Sequence, residues 1–252
     1  MTPERDTHRL GTVDQMGQGT PASTWSAWRR AFDELDLSGW DRVLVVAPHP
    51  DDEVLGVGAL MAALVSRGAD VTVAAVTDGG AAYPLSPTLG PAALARVRVT
   101  ESDAACATLG VAPPHRLGLP DGAVASHEPE LVDHLLTLLR PATICLATWA
   151  GDGHPDHEAT GRAAAQACRA TGAVLVEYPV WMWHWSSPGD EAVPWHRVRA
   201  ISLSEAELAR KRRAVDHFVS QTQALSDHPA DAAVLPPFVI DRLVRDREVV
   251  LL

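Results

Sequence analysis

Two short segments hold most of the residues in this chain that could carry chemistry. Pro48-His49-Pro50-Asp51-Asp52-Glu53 packs one imidazole and three carboxylates into six positions, and His154-Pro155-Asp156-His157 packs two imidazoles and a carboxylate into four. Imidazole nitrogen and carboxylate oxygen are the ligands a catalytic zinc takes, three from the protein with a fourth position left for water. His49 and Asp52 stand three apart in a proline-stiffened turn that can aim both side chains at one point, and His157 could complete the set. Asp51 and His154 then remain beside the metal to move protons. Hydrolysis needs that combination, because an activated water gives up a proton and a leaving group takes one. Each segment alone also has a plainer reading: Pro, Asp and Gly make turns, and acidic residues at a helix start complement its dipole.

The elements around these segments decide whether they meet. Arg42–Ala47, Val71–Thr77, His115–Leu119, Thr143–Thr148 and Ala173–Glu177 are short apolar runs that suit buried strands. Between them lie helical stretches over Glu53–Arg67, Ala92–Leu109 behind Pro91, Glu130–Arg140 and His157–Ala170. Strand and helix in alternation predict an α/β fold, a Rossmann-like, doubly wound and mainly parallel sheet with helices on both faces, in a single domain over 24–252. In the strand order 3-2-1-4-5, the first and fourth strands are neighbours. Both segments would then leave adjacent carboxyl ends at the switch point, where such sheets bind ligands.

Other elements are less regular. Trp25, Trp28, Phe32 and Leu35 predict an amphipathic helix ending near Gly39. A strand is expected at Val198–Leu203, then a helix from Ser204 to about Val219 with Glu207 completing a capping box. Trp181, Trp183 and Trp185 alternate as one face of a strand would, just beyond the fifth run. Some of these rings are expected to pack inward and one, taken as Trp183, to wall a substrate pocket on the same rim.

Lys plus Arg number 21 against 32 Asp plus Glu, a formal charge of −11, which argues against nucleic acid as a partner. Cys106, Cys145 and Cys168 sit in apolar or Ala-rich surroundings with no knuckle spacing, as thiols of a reducing compartment do. Residues 1–23 show no apolar period and are expected to form a flexible extension without a signal peptide. The longest uncharged apolar run, 54–66, falls short of the roughly 20 residues a membrane span needs. A cytoplasmic protein is expected, free to form a homo-oligomer.

The sequence resembles the zinc-dependent N-deacetylases of the PIG-L or LmbE-like family. The likeness rests on PHPDDE at 48–53 and HPDH at 154–157, and extends from about Arg42 to Gln221 through Thr77-Asp78-Gly79, Arg98 with Glu101, Leu117-Gly118-Leu119-Pro120-Asp121-Gly122 and His217 with Ser220-Gln221. The resemblance implies a Rossmann-like hydrolase that removes acetyl groups from amino-sugar nitrogens. It implies Zn2+, or Fe2+ or another divalent metal, on His49, Asp52 and His157. Asp51 would be the general base, His154 the acid or electrophile, and Asp156 would orient His154. Arg98 and Asp121 match positions that contact the sugar in some members, although Arg98 and Glu101 also have the spacing of an exposed helical ion pair. Asp152 stands where some members carry Tyr, so oxyanion help from that Tyr must come from elsewhere. Two His and a carboxylate also form the facial triad of non-haem iron oxygenases. Ester or phosphoester hydrolysis and a non-catalytic sugar-binding protein with a structural metal are further readings.

Overall fold

The computed structural model describes residues 19–28 and 30–252, so most of the extension expected at 1–23 lies outside the described residues. Eight strands form one sheet: β1 (Asp33–Glu34), β2 (Arg42–Ala47), β3 (Asp70–Ala75), β4 (His115–Arg116), β5 (Ile144–Thr148), β6 (Val174–Tyr178), β7 (Val198–Ile201) and β8 (Glu248–Leu251). The helices are α1 (Ala22–Ala27), α2 (Asp52–Ser66), α3 (Pro91–Leu109), α4 (Glu128–Leu138), α5 (Pro155–Thr171), α6 (Met182–Trp185), α7 (Glu205–Val215), α8 (Val219–Thr222) and α9 (Pro237–Leu243).

The sheet order is β1-β7-β8-β6-β5-β2-β3-β4. Its β4-β3-β2-β5-β6 portion is wholly parallel and has the order expected of a doubly wound sheet. β2 and β5 lie side by side from Val43↔Ile144 to Val46↔Ala147, with their crossovers leaving in opposite directions. Alternation along β2 explains the two layers. Val43 and Val45 join a core with α2, α3 and α7, whereas Leu44 and Val46 join a second core with α4 and α5.

At the other end, β8 runs antiparallel between β6 and β7, which the sequence pattern did not reveal. The helix expected from Thr24 to Gly39 stops at Ala27. Phe32 stacks on Trp195 at 6.2 Å, and Asp33–Glu34 pairs in parallel with Arg199–Ala200. An edge strand and an aromatic cluster thus outweigh a weak helical period. The capping box at Ser204 and Glu207 forms as expected, although α7 ends at Val215. α5 approaches the sheet closely at Gly161, where a Cβ would stand 2.5 Å from the Thr148 carbonyl oxygen. That contact docks the start of α5 against the end of β5. No described helix is long and apolar enough to cross a membrane.

Candidate active site

The β2 end and the β5 end deliver the two motifs to one place. Asp52 Oδ2 accepts from the His49 backbone N–H at 3.0 Å and lies 3.2 Å from both His49 Nδ1 and His157 Nε2. One nitrogen from each of His49, His154 and His157 falls within 4.8 Å of the others. His157 is fully buried, and its Nδ1 donates to Asp152 Oδ2 at 2.8 Å, so its Nε2 faces the cluster with no hydrogen-bond partner of its own. A carboxylate behind one imidazole nitrogen and a free lone pair in front is how proteins orient a metal-binding histidine. His49, Asp52 and His157 therefore fit a divalent cation.

The electrostatics agree. Burial alone would lower His49, but Asp121, Asp156 and Asp52 outweigh it and raise the imidazole well above its usual range. Burial likewise opposes protonation of His157, and Asp52 and Asp152 prevail, lifting it to about 9. The surrounding aspartates demand positive charge at this point. A metal ion supplies it more compactly than two imidazolium rings.

Asp51 stands at the mouth of α2 with a φ of 134°, a conformation that side chains rarely adopt. Its backbone N–H donates to Glu53 Oε2 at 3.1 Å, and its Oδ2 accepts from Arg98 Nη2 at 3.0 Å. Burial raises the Asp51 carboxyl to about 7 against the opposing charge of Arg98, with Asp52 adding to the rise. A carboxyl at that value can give up and take back a proton near neutrality. His154 caps α5: its Nδ1 accepts the Asp156 backbone N–H at 3.2 Å, which assigns the ring hydrogen of a neutral imidazole to Nε2. Burial, then His157 and His49, push its pKa down.

His49, Asp51, Asp52, Arg98 and His154 line a cavity of about 630 Å³ whose remaining wall is mostly apolar, including Leu55, Tyr83, Leu85, Val180, Trp181 and Leu235. Asp121 belongs to it, with Oδ1 3.1 Å from His49 Nε2 and Oδ2 accepting from the Ala81 N–H.

A match of 125 positions, residues 44–168, links the chain to the family model described as PIG-L, GlcNAc-PI de-N-acetylase. The chain is also 30% identical over 232 residues to a 1D-myo-inositol 2-acetamido-2-deoxy-alpha-D-glucopyranoside deacetylase of Nocardioides sp., covering 79% of this chain and 73% of that one. The chain belongs to the PIG-L family. A relative of the same description from Mycobacterium sp. strain KMS is 36% identical, over 48% of each chain, so this chain spans about half the length of that relative. Among solved structures, the A40926 pseudoaglycone deacetylase Dbv21 shares 26% identity at a TM-score of 0.56, over 77% of this chain and 87% of that one.

Set in this PIG-L fold, several sequence expectations change. Asp156 meets His154 through its backbone N–H. Its carboxylate instead accepts from Gly122 and Val124 N–H groups and lies 3.2 Å from His49 Nε2, so it orients His49 and the Asp121 loop. Arg98 is buried and serves Asp51, Pro50 and Gly79, while Glu101 accepts from Ser220; the two form no exposed pair. Removing the Arg98 charge should raise the Asp51 pKa. A protonated Asp51 cannot accept, so in Arg98→Met the acidic limb of a kcat/KM–pH profile should move to higher pH; an unmoved limb would separate Arg98 from the base.

Trp183 is the clearest correction. Its ring packs edge-on to Trp25 at 5.0 Å, with the Arg245 guanidinium 4.0 Å above it, away from the site cavity that Trp181 lines. The expected strand is one helical turn, because the Asp152 carboxylate gathers the N–H groups of Val180, Trp181 and Met182. Asp152 thus ties that turn to His157, a role the sequence did not suggest. Trp183→Ala should cost about 3–5 kcal/mol of stability as a large core deletion. Trp181→Ala should fold and lose substrate affinity, which denaturation curves and KM together would check.

Proposed function

We propose that the protein is a zinc-dependent hydrolase that removes an acetyl or related acyl group from the nitrogen of an amino sugar or glycoconjugate. The observation that carries this reading is the pairing of a metal-ready His49–Asp52–His157 set with Asp51, an oriented carboxylate tuned toward neutrality and facing the same cavity. A structural metal site has no use for such a base, and family membership favours amide hydrolysis.

A divalent cation on these three residues would polarise an acyl carbonyl and lower the pKa of a water from 15.7 to about 7. Asp51 takes the water proton as the new carbon–oxygen bond forms. Held by Arg98, its carboxylate cannot swing away. His154 offers Nε2–H as a donor to the carbonyl oxygen while negative charge collects there, the part that a neutral imidazole with Nδ1 already engaged can play. When the carbon–nitrogen bond breaks, Asp51 returns its proton to the departing amine, giving a free amino sugar and a carboxylic acid. The cavity's volume and its mostly apolar wall leave room for a substituent beyond the sugar ring.

The test is amine and acetate release from N-acetylglucosamine, its alkyl and aryl glycosides, and acylated glycopeptides, beside matched O-acetyl esters. Amine release from N-acetylated sugars is expected. Ester cleavage without amine release from any sugar would overturn the assignment.

A further inference from the structure

The α2 helix that carries Asp52 is broken one turn beyond it. Val57, between Gly56 and Gly58, has φ −137° and ψ 23°, outside helical geometry. In an unbroken helix the Ala59 N–H would donate to the Leu55 carbonyl. Here each of those atoms finds another partner. Lys211 Nζ, reaching in from α7, donates to the Leu55 carbonyl oxygen at 2.7 Å. Glu248, at the start of β8, accepts from Ala59 N–H at 2.9 Å through Oε1 and from Leu60 N–H at 2.8 Å through Oε2. Lys211 and Glu248 are themselves paired at 2.8 Å, and both are buried.

The ion pair therefore stands as a wedge in the helix, and its charges match the ends it meets. The ammonium caps the carbonyl end of the first turn, and the carboxylate caps the amide end of the longer helical piece beyond the break. The glycines permit the close fit. A Cβ at Gly56 would lie 2.3 Å from the Tyr178 ring, whose hydroxyl donates to Val46 O at the end of β2. The short turn before the break holds Asp52, with Asp51 at its mouth. Val54 and Leu55 N–H groups both donate to the Asp51 carbonyl oxygen, at 3.0 and 2.8 Å. A buried pair is an expensive way to add stability, since well-packed apolar residues often do as well.

We propose that Lys211 and Glu248 are positioning residues, which fix the Asp51–Gly56 turn as a unit separate from the rest of α2 and so set where Asp52 and Asp51 stand relative to His157. This inference rests on the metal-hydrolase reading for its purpose, and on the broken helix for its geometry. Neither residue touches the site cavity. Both act through the α2 backbone, Lys211 at the Leu55 carbonyl and Glu248 at the Ala59 and Leu60 amides.

The test uses the full chain and three readouts. Single changes leave a lone buried charge, so the informative variant is the double K211M/E248Q, compared with E248D, which keeps the charge but shortens the reach to the two amides. The double variant is expected to bind zinc 10- to 100-fold more weakly, as loss of a support behind metal ligands does elsewhere. Its kcat should fall while KM changes little, and E248D should be intermediate. If stability drops but zinc affinity and kcat of the folded protein stay within twofold of wild type, the pair is a stability element and the proposal fails. Hydrogen exchange of the wild type covers a double variant that does not fold. Zinc should slow exchange at Ala59 and Leu60, the amides that Glu248 holds, and no change there would overturn the proposal. A wild type that binds no zinc would instead overturn the proposed function. Amide exchange at Val54 and Leu55 then decides between a loosened turn in K211M/E248Q, as inferred, and an unaltered one, which refutes it.

Discussion

Asp51→Asn is expected to keep the fold and the metal while losing about 10² to 10⁴ in kcat, the usual cost of removing a general base. The amide preserves the shape of the carboxylate but cannot take a proton from water. Asparagine also tolerates unusual positive φ better than most residues, so the 134° backbone at position 51 is not the reason for the loss. Arg98 keeps its carbonyl partners at Gly79 and Pro50 and accepts the change without being stranded. The measurement is zinc content beside single-turnover rate. His154→Ala serves as the control, because one of its nitrogens lies as close to His49 and His157 as a ligand would. Metal lost in proportion to rate in His154→Ala would make His154 a fourth ligand, and the same result in Asp51→Asn would move Asp51 into the coordination set.

How much of this site was legible in the sequence depends on how each residue reaches it. His49, Asp52 and His157 leave the ends of two strands whose adjacency is a property of the fold, so spacing and topology together were enough to bring them to one point. Asp121 and Arg98 were visible as sugar-contact positions only through family likeness; the plainer alternative for Arg98, an exposed i, i+3 pair with Glu101, fails because burial turns its guanidinium toward Asp51. Asp152 was legible as a departure from a family pattern and illegible as a support. Its role depends on three backbone N–H groups from a segment almost thirty residues later, and no local spacing encodes such a meeting. The tryptophans misled for the same reason, since an alternating pattern is a statement about side-chain faces only where the backbone stays extended. β8 escaped notice because Glu248 to Leu251 lies apart from the repeating units and is short. Its first residue nevertheless reaches the helix that bears Asp52.

Removing metal should abolish turnover, and restoring zinc should recover it, because water at its ordinary pKa supplies almost no nucleophile near neutrality. The protein side of that equilibrium has its own signature. With no cation bound, the neighbouring aspartates lift His157 to about 9 and raise His49 well above its usual range, which favours the protonated imidazoles. Zinc takes neutral imidazole, and binding must therefore expel protons into solvent. Calorimetry at pH 7 in buffers of different ionisation enthalpy should show that release, and zinc affinity should rise as pH is raised toward 9. Asp152→Asn should alter both quantities at once. Without its charge the His157 pKa falls, fewer protons are released, and the imidazole loses the partner that orients it, for which a 10- to 100-fold weaker affinity is the usual outcome. His157→Ala should cost more, removing a ligand outright along with measurable turnover. Full activity in protein verified to be metal-free would end the metal reading, and zinc binding without proton release would show that the imidazoles reach the metal by a route other than the buried aspartate cluster.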